Sequence, residues 1–232
     1  MTMITFITGG NKGLGYETAR RLTDLGHSVI LGARDQQRGE TAAWELGARF
    51  VQIDVTDEES VERAAADIEA HEGRIDRLIN NAGIVGRRAA AEDLTGEDAV
   101  LVFNTNVASI VRVTHAFLPL LRKSDAPAVI NVSSGMGSFA RTHDPARVES
   151  TIVGPLYTAS KAAVTMLTMQ YAKALPAIRF NAADPGYTAT DFNGHRGVQT
   201  VTEGTDAIVA LATEDVESGS GRYLDRFGTV PW

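Results

Sequence analysis

Residues 4–15 read Ile4-Thr5-Phe6-Ile7-Thr8-Gly9-Gly10-Asn11-Lys12-Gly13-Leu14-Gly15 and place a glycine-rich loop directly after a short apolar run. The run Ile4–Ile7 predicts a buried strand. Apolar residues at helical spacing from Leu14 to Leu25 predict a helix, and Gly26 is suited to end it. The stretch is therefore typical of a strand–loop–helix unit.

The glycines of this loop have the spacing of a dinucleotide-binding turn. Gly9 permits a tight turn, Gly13 lets the backbone approach a pyrophosphate, and Gly15 lets the helix pack closely on the strand. The helix N-terminus offers free N–H groups and a partial positive charge to phosphates. We expect a bound dinucleotide to contact Gly9, Asn11, Lys12, Gly13 and Leu14. A glycine-rich turn without a ligand is the alternative.

The alternation of short apolar runs and helical patterns continues along the chain. Further strands are predicted at Ser28–Leu31, Arg49–Ile53, Arg77–Ile79, Ala128–Val132, Ile178–Asn181 and Arg222–Leu224. Helices are predicted from near Asp57, where Thr56 and Glu59 have capping-box spacing, and over about Glu97–Leu121, Pro155–Leu175 and Thr202–Thr213. We therefore predict one α/β domain over residues 1–232, a doubly wound Rossmann fold with a parallel seven-stranded sheet and helices on both faces.

Composition narrows the classes of function. A hydrophobic content of 44% with 22% charged residues is that of a globular protein, and a net charge of −7 argues against a nucleic-acid partner. The lack of cysteine excludes disulfides and thiolate chemistry, and the five scattered histidines predict no metal site. No signal peptide and no apolar run of about 18 residues is evident, so we expect a soluble, cytoplasmic protein without a membrane partner.

The end of the second predicted strand bears on the choice of dinucleotide. A carboxylate there would bind a ribose 2′-hydroxyl and select NAD, whereas an arginine accommodates the 2′-phosphate of NADP. If the strand ends at Ala33, Arg34 comes next, and Lys12 could reach the same phosphate, so NADP(H) is favoured over NAD(H). Asp35 as an NAD selector is the alternative, but aspartate is also favoured as a helix N-cap.

Two further segments lie where a bound dinucleotide would pass. Asp54, with Val55 beside it, follows the third strand and could accept a hydrogen bond from an adenine amino group; ordering the turn before Thr56 is the alternative. After the fourth strand, the small residues of Asn80-Asn81-Ala82-Gly83 suit a backbone close to a cofactor, although an ordinary Asx-Gly turn has the same sequence.

The segment Tyr157-Thr158-Ala159-Ser160-Lys161 lies at the start of a predicted helix, so Tyr157 and Lys161 share one helical face. An adjacent cation lowers the pKa of a phenol and makes it a better proton shuttle. Ser134 ends the fifth strand at the same edge of the sheet and could steady charge on a substrate oxygen. Asn106 could hold a water that connects Lys161 to solvent, or it could be a buried, satisfied amide.

Taken together, these residues resemble the short-chain dehydrogenase/reductase family over nearly the whole chain. The resemblance rests on five ordered motifs: Thr8–Gly15, Asn80–Gly83, Ser134, Tyr157 with Lys161, and Asp184–Thr190, with Asn106 at the position of the family's asparagine. Within the family, the segments Gly10–Gly15, Ala33-Arg34-Asp35 and Gly186–Asp191 are similar to those of NADPH-dependent carbonyl reductases.

The resemblance implies a mechanism. The reduced cofactor delivers a hydride to a carbonyl carbon while Tyr157 gives a proton to the oxygen that Ser134 orients. Lys161 binds the nicotinamide ribose and lowers the pKa of Tyr157, and Asn106 completes a proton relay. The resemblance also places Pro185 and Gly186 beside the nicotinamide, with Thr188 near its carboxamide. The expected substrate is a small carbonyl or alcohol compound.

One segment departs from the family pattern. The stretch between Ser134 and Tyr157 is longer than in the commonest members and could line the substrate pocket or alter subunit contacts. Its His143-Asp144 pair is interpreted as a solvated loop rather than an acid–base pair. Phe192, Tyr187 and Phe139 are expected to form an apolar pocket, and the loop Phe192–Gly197 is expected to be a mobile lid.

Two other functions remain open from the sequence. A catalytically silent NADP(H)-binding regulator could use the same fold, but it would have no need of Ser134, Tyr157 and Lys161 together. A family epimerase or dehydratase would need more chain after Pro185 than is present. Family habit favours a homodimer or homotetramer, while similarity to carbonyl reductases allows a monomer.

Overall fold

The apolar runs of the sequence form one sheet in the computed structural model, which describes residues 2–232. Its strands are β1 (Ile4–Thr8), β2 (Ser28–Ala33), β3 (Arg49–Gln52), β4 (Arg77–Asn80), β5 (Ala128–Val132), β6 (Arg179–Ala183), β7 (Tyr223–Asp225) and β8 (Gly228–Thr229). They lie in the order β3-β2-β1-β4-β5-β6-β7-β8. The first seven are parallel, as predicted, and each lies within two residues of its predicted bounds.

The eighth strand was not predicted. It pairs antiparallel with β7 through Leu224↔Thr229 and Asp225↔Gly228. Two residues, one of them glycine, carry neither an apolar run nor an alternation that a sequence pattern can detect. The strand order reverses between β1 and β4, and in sheets of this kind ligands bind beyond the carboxyl ends of the strands at that point.

Helices cover both faces of the sheet because successive side chains of a strand point to opposite sides. The helices are α1 (Gly13–Asp24), α2 (Gln36–Leu46), α3 (Glu58–Glu72), α4 (Gly96–Phe103), α5 (Ser109–Leu121), α6 (Phe139–His143), α7 (Pro155–Ala174), α8 (Val201–Gly204) and α9 (Asp206–Thr213). On β1, Phe6 enters a core with α3 and α5, whereas Ile7 enters a second core with α1, α2 and α9. These two apolar cores fix the sheet between the helices, and with it the positions of the loops at the carboxyl ends of the strands.

The long helix predicted over Glu97–Leu121 is present, but it contains a π-helical turn at Asn104–Ala108. The whole unit, Gly96–Leu121, is long and apolar enough by length and composition to cross a membrane. It has no uninterrupted apolar run, so the sequence did not single it out. Val113 and Phe117 on this helix belong to the core against the sheet, whereas Val100, Leu101 and Val111 are exposed.

Two helix boundaries differ from the sequence patterns. The N-cap of α3 is Asp57, which accepts from the Ser60 N–H at 3.2 Å. The capping box expected at Thr56 does not form, because the Thr56 hydroxyl donates to Asp54 Oδ1 at 2.6 Å. The helix predicted over Thr202–Thr213 is divided into α8 and α9 at Thr205.

Candidate active site

The glycine-rich loop after β1 is tied to the segment after β4. Asn81 Nδ2 donates to the carbonyl oxygens of Thr8 and Gly9, both at 3.0 Å. The Thr8 hydroxyl accepts from the N–H groups of Asn81 and Ala82 at 3.1 and 3.2 Å. The two predicted cofactor-contact segments, separated by about seventy residues, therefore form one unit at the switch point of the sheet.

The loop has the free space and the close packing that a phosphate-binding turn needs. A Cβ on Gly13, whose φ is +55°, would meet only the Thr190 methyl group at 3.9 Å, so this position is open. A Cβ on Gly15 would lie 2.4 Å from the Gly9 carbonyl oxygen, so no larger residue fits. No side chain caps α1 and no acidic residue lies in its first turn. These features fit an anionic dinucleotide at the helix N-terminus.

The tip of β2 has the arrangement expected from the sequence. The strand ends at Ala33, Arg34 is exposed, and Asp35 is the N-cap of α2, accepting from the Arg38 N–H at 2.9 Å. The interpretation of Asp35 as a helix cap is confirmed. Lys12, on the facing loop, forms an ion pair with Asp191 at 3.3 Å, and both side chains are about 62% exposed. Because an exposed ion pair contributes little stability, the Lys12 ammonium group can exchange Asp191 for a ligand phosphate.

Replacing Asp35 with alanine is expected to lower the free energy of unfolding by about 1 kcal/mol, because the cap of α2 is lost. The ratio of kcat/KM for NADPH to that for NADH should stay unchanged, because the carboxylate serves the helix. Chemical denaturation and initial rates with both coenzymes measure the two quantities. If kcat/KM for NADH instead falls strongly relative to that for NADPH in Asp35→Ala, Asp35 contacts the nucleotide.

Asp54 and Val55 lie after β3, and both have partners within the protein. Asp54 Oδ1 accepts from the Thr56 N–H at 2.9 Å and from the Thr56 hydroxyl, so its turn-ordering role is present. The contact with an adenine amino group stays a prediction. Val55 is buried, and its carbonyl oxygen accepts from Arg112 at 2.7 Å, a contact that the sequence did not indicate.

Tyr157 and Ser134 meet at the carboxyl edge of the sheet. Ser134 is the second residue after β5; its hydroxyl accepts from the Met136 N–H at 3.2 Å and lies near enough to the Tyr157 side chain to lower its pKa. Tyr157 lies in the first turn of α7, which begins at Pro155. The ring of Phe192 packs edge-on against the Tyr157 ring, with 5.7 Å between centroids. The predicted serine and tyrosine are therefore neighbours, with an aromatic side chain above them.

Lys161 lies one turn further along α7, with its ammonium group between Tyr157 and the segment that contains Gly83. Lys161 Nζ donates to the Val132 carbonyl oxygen at 2.8 Å and lies 5.8 Å from the centroid of the Tyr157 ring. A Cβ on Gly83 would lie 3.7 Å from the same nitrogen. The cation therefore lies beside both the phenol ring and the Asn-Asn-Ala-Gly segment.

Asn106 is buried within the π-helical turn, and both the oxygen and the nitrogen of its side-chain amide form hydrogen bonds. Its Oδ1 accepts from the Ile84 N–H at 2.8 Å, and its Nδ2 donates to the Ile84 carbonyl and to the Ser160 hydroxyl, both at 2.9 Å. The amide is a buried, satisfied group, the plainer of the two interpretations of the sequence. A Cβ on Gly83 would lie 3.3 Å from Asn106 Oδ1, so Asn106 lies beside Lys161 as well. The water relay stays a prediction.

Burial controls the ionisation of the central pair. It raises the pKa of Tyr157 to about 12, although the nearby Ser134 hydroxyl acts in the opposite direction and the charge of Asp184 adds to the rise. Burial lowers the pKa of Lys161 to about 8, against the influence of Asp184. The ammonium form of Lys161 still predominates at neutral pH. The protein alone thus keeps the phenol protonated, and the expected lowering of its pKa does not occur without a cofactor.

The segment after β6, Asp184–Thr190, lies beside the glycine-rich loop. Gly186 has a φ of +68°, and its N–H donates to Asp184 Oδ1 at 2.8 Å. Thr188 is buried, and its hydroxyl donates to the Pro185 carbonyl oxygen at 2.9 Å. A Cβ on Gly204 would lie 2.3 Å from Thr188 Oγ1 and 2.9 Å from a methyl group of Leu14, so this segment lies against the glycine-rich loop.

The segment between Ser134 and Tyr157 is more ordered than expected. It forms α6, and within it His143 and Asp144 are exposed, as predicted for a solvated pair. Phe139 is 70% exposed, so of the three aromatic residues proposed for the pocket, Phe192 is the one whose ring packs on Tyr157. Arg141, in contrast, is buried in an ion cluster that no sequence pattern revealed.

The remaining features of the described residues lie outside this site. A surface depression lined by Thr95, Gly96, Glu97, Val100, Leu101 and Asn104 includes none of the predicted site residues. Within residues 2–232, no group of three or more histidine, aspartate or glutamate side chains is arranged to hold a metal ion. The expectation that the protein needs no metal stays a prediction.

Comparison with known proteins relates this geometry to a family. The short chain dehydrogenase family profile matches residues 3–200. The chain is 35% identical over 224 residues to the short-chain dehydrogenase anuI of Penicillium roqueforti, covering 91% of this chain and 88% of that protein. It is 32% identical over 280 aligned residues to (+)-neomenthol dehydrogenase of Arabidopsis thaliana, covering 95% of both.

Solved structures show the same architecture. The NADPH-bound carbonyl reductase from chicken fatty liver superimposes with a TM-score of 0.87 at 27% identity, over 100% of this chain and 99% of that one. Salutaridine reductase from Papaver somniferum gives a TM-score of 0.85 at 26% identity, over 96% and 99%. The similarity extends through the whole sheet and both helical layers.

Proposed function

Because the chain belongs to the short-chain dehydrogenase family and is therefore a hydride-transferring oxidoreductase, we propose that it reduces carbonyl compounds, or oxidises the corresponding alcohols, with NADP(H). One observation carries this proposal: the hydroxyls of Ser134 and Tyr157 and the ammonium of Lys161 converge beside the cofactor-contact segments. A regulator without turnover would not need that convergence.

The four catalytic residues have distinct roles in this proposal. The nicotinamide supplies the hydride for the carbonyl carbon. Tyr157 donates its proton to the carbonyl oxygen, which Ser134 holds by a hydrogen bond as negative charge develops on it. Lys161 binds the nicotinamide ribose and favours the phenolate that remains. Asn106 holds the backbone at Ile84 and connects through Ser160 to α7, so it supports the proton relay from within the protein.

Residues from six segments at the carboxyl edge would hold the dinucleotide. These are Gly9, Asn11, Lys12, Gly13 and Leu14; Arg34; Asp54 and Val55; Asn81, Ala82 and Gly83; and Pro185, Gly186 and Thr188, together with Tyr157 and Lys161 from α7. Arg34 and Lys12 are the residues that would hold the 2′-phosphate. Asp35 is committed to capping α2, so it does not compete for a 2′-hydroxyl.

Arg34→Asp is expected to invert the coenzyme preference. The change removes one cation from the 2′-phosphate and places a like charge beside it, so kcat/KM for NADPH should fall by about 100-fold while that for NADH changes little. Initial rates with a panel of ketones, aldehydes and quinones, followed by coenzyme absorbance, give both values and also test for turnover. An aromatic or medium-sized substrate fits the exposed face of Phe192.

The matched control for this experiment is Arg63→Asp. Arg63 is an exposed arginine on α3 that pairs with Glu59, so it carries the same change of charge away from the nucleotide segments. Its NADPH-to-NADH ratio should remain that of the wild type. If Arg34→Asp keeps the wild-type ratio as well, Arg34 is not the selector. If the wild-type protein oxidises neither coenzyme with any carbonyl in the panel, the proposed activity is wrong.

Three further properties complete the proposal. Residues 1–232 act as one domain that carries both the cofactor and the catalytic groups. The protein works in the cytoplasm as a soluble enzyme on a small-molecule carbonyl or alcohol, with no nucleic-acid or membrane partner. Its assembly is a homodimer or homotetramer, which light scattering of the purified protein would measure directly.

A further inference from the structure

A cluster of buried charges lies directly behind the loop that carries Ser134. We call it the Arg141 cluster, and its members are Arg141, Glu149, Asp184 and Asp225. Arg141 Nη1 donates to Asp184 Oδ2 at 2.6 Å, and Nη2 donates to Asp225 Oδ2 at 2.5 Å. Glu149 Oε1 lies 3.6 Å from Nη1. One guanidinium group thus joins α6, the residue before Pro185, and the end of β7.

Burial makes these contacts interdependent. Arg141 is 8% exposed, Asp184 is 2% exposed and Glu149 is 8% exposed. Charges in such a setting require partners, because removing one partner leaves the other buried and uncompensated. The cluster holds three carboxylates against Arg141, and the only other cation contacting its carboxylates within the described residues is Arg147, on the more exposed side of Glu149.

The cluster touches the backbone on both sides of the reacting groups. A Cβ on Gly135, the residue after Ser134, would lie 2.5 Å from Glu149 Oε1 and 2.9 Å from Asp184 Oδ2. Asp184 Oδ1 accepts from the Gly186 N–H at 2.8 Å, and the Gly135 N–H acts with it to lower the pKa of Asp184 against the effect of burial. The position of Asp184 therefore sets the position of the Ser134 loop relative to the Pro-Gly turn.

The other contacts of α6 fix Arg141 itself. The Ser138 hydroxyl accepts from the Arg141 N–H at 3.1 Å and donates to the Pro231 carbonyl oxygen at 2.6 Å. The Ala140 N–H donates to the Trp232 carbonyl oxygen at 3.1 Å. The Tyr223 hydroxyl donates to the Ser134 carbonyl oxygen. The guanidinium thus projects from an anchored turn.

The charge of Asp184 acts on the catalytic pair. It raises the pKa of both Tyr157 and Lys161, whose own burial acts in opposite directions on the two groups. Arg141 lies between this carboxylate and that of Asp225 and offsets part of their charge. The titratable groups that act on Tyr157 and Lys161 are Asp184 and Tyr223. Asp184 in turn contacts Arg141, around which lie Asp225, Glu149 and, beside Glu149, Arg147.

We propose that Arg141 is a positioning residue for proton transfer: it fixes Asp184 beneath the Ser134 loop and offsets the negative charge that Asp184 directs at Tyr157. Arg141 acts through Asp184 and does not touch the reacting atoms. The proposal deepens the proposed function and rests on Tyr157 as the proton donor. It also gives a role to the segment whose length departs from the family pattern.

The test is the pH profile of kcat for alcohol oxidation with NADP⁺, which rises as pH rises through the pKa of Tyr157 in that complex, because the phenolate is required as the base. Arg141→Met leaves the charge of ionised Asp184 uncompensated, so the rising limb should move to higher pH by about one unit. Asp184→Asn removes that charge, so the limb should move about one unit lower. The double variant Arg141→Met/Asp184→Asn should lie between the two.

The control is Arg49→Met. Arg49 binds Glu72 at 2.7 Å and Asp67 at 2.6 Å at the amino end of β3, so the variant removes the cation of another three-residue cluster, at the opposite edge of the sheet. It should lower the melting temperature without moving the pH profile. If Arg141→Met does not fold, Asp184→Asn and the double variant, which lacks both charges, still decide the question.

The outcomes separate this proposal from the proposed function. If Asp184→Asn is folded and active but keeps the wild-type pH profile, the positioning role of Arg141 is overturned while the oxidoreductase activity stands. The same conclusion holds if the profile moves equally in Arg49→Met. If Tyr157→Phe keeps full activity, the proton-donor assignment itself has failed, and the role of Arg141 fails with it.

Discussion

Tyr157→Phe is expected to lower kcat for carbonyl reduction by about 10³-fold, within the range that a positioned general acid contributes. The substitution removes one hydroxyl and keeps the ring, so the edge-on contact with Phe192 at 5.7 Å is retained. Without the hydroxyl, no side chain at that position can protonate the substrate oxygen. Affinity for NADPH should change little, because the hydride donor is held mainly by the loops around it.

The loss is measured as the rate of NADPH oxidation at saturating substrate, with coenzyme affinity measured separately by fluorescence. Tyr171→Phe is the matched control, because Tyr171 lies on the same helix with its ring stacked on Phe180, away from the site. It should keep the wild-type rate. A Tyr157→Phe protein as active as this control would exclude Tyr157 as the proton donor.

Lys161→Met is expected to lower kcat/KM for NADPH-dependent reduction by about 100-fold. The substitution removes the cation 5.8 Å from the phenol ring and the ribose contact together, so the KM for NADPH should rise and kcat should fall. Methionine fills a similar volume, but it leaves the Val132 carbonyl oxygen without its donor, at a cost of about 1–3 kcal/mol in unfolding free energy.

Steady-state kinetics and denaturant unfolding separate these two effects. Lys173→Met is the matched control, since Lys173 lies in the last turn of the same helix and is exposed. It should match the wild type in both measurements. Loss of stability in Lys161→Met without any change in kcat/KM would mean that Lys161 is only a structural cation.

The fold was accessible from the sequence because its determinants are local. A buried parallel strand is a short apolar run, and a helix that covers it repeats its apolar residues at helical spacing, so the strands could be placed within two residues. The glycine spacing of residues 9–15 and the cap at Asp35 are also local. β8 could not be predicted, because its pairing with β7 is decided by the turn at Asp225–Gly228 rather than by apolar pattern.

The parts of the site that escaped prediction depend on contacts between distant segments. Thr56 matched a capping box by spacing, but its hydroxyl donates a hydrogen bond to Asp54, and Asp57 is the N-cap of α3 instead. Arg141 is a charged residue in a stretch that looks solvated, and only the folded chain shows Asp184 and Asp225 beside it.

The ionisation of the phenol also escaped prediction. Proximity of Lys161 in sequence suggested a lowered pKa for Tyr157, whereas burial raises it to about 12 in the protein alone. The spacing of Tyr157 and Lys161 in the sequence shows that they are neighbours on a helix. It does not show how far the phenol is removed from water, which depends on all the elements packed around it.

The most direct test of the account follows the ionisation of Tyr157 by carbon-13 NMR of protein labelled at its tyrosines, of which there are five. The resonance missing from Tyr157→Phe identifies the residue. In the free protein, Tyr157 should stay protonated far above neutral pH, and with NADP⁺ bound its pKa should fall by more than about one unit, because the nicotinamide adds a second cation beside the phenol. A Tyr157 resonance whose titration is the same with and without NADP⁺ would contradict the account.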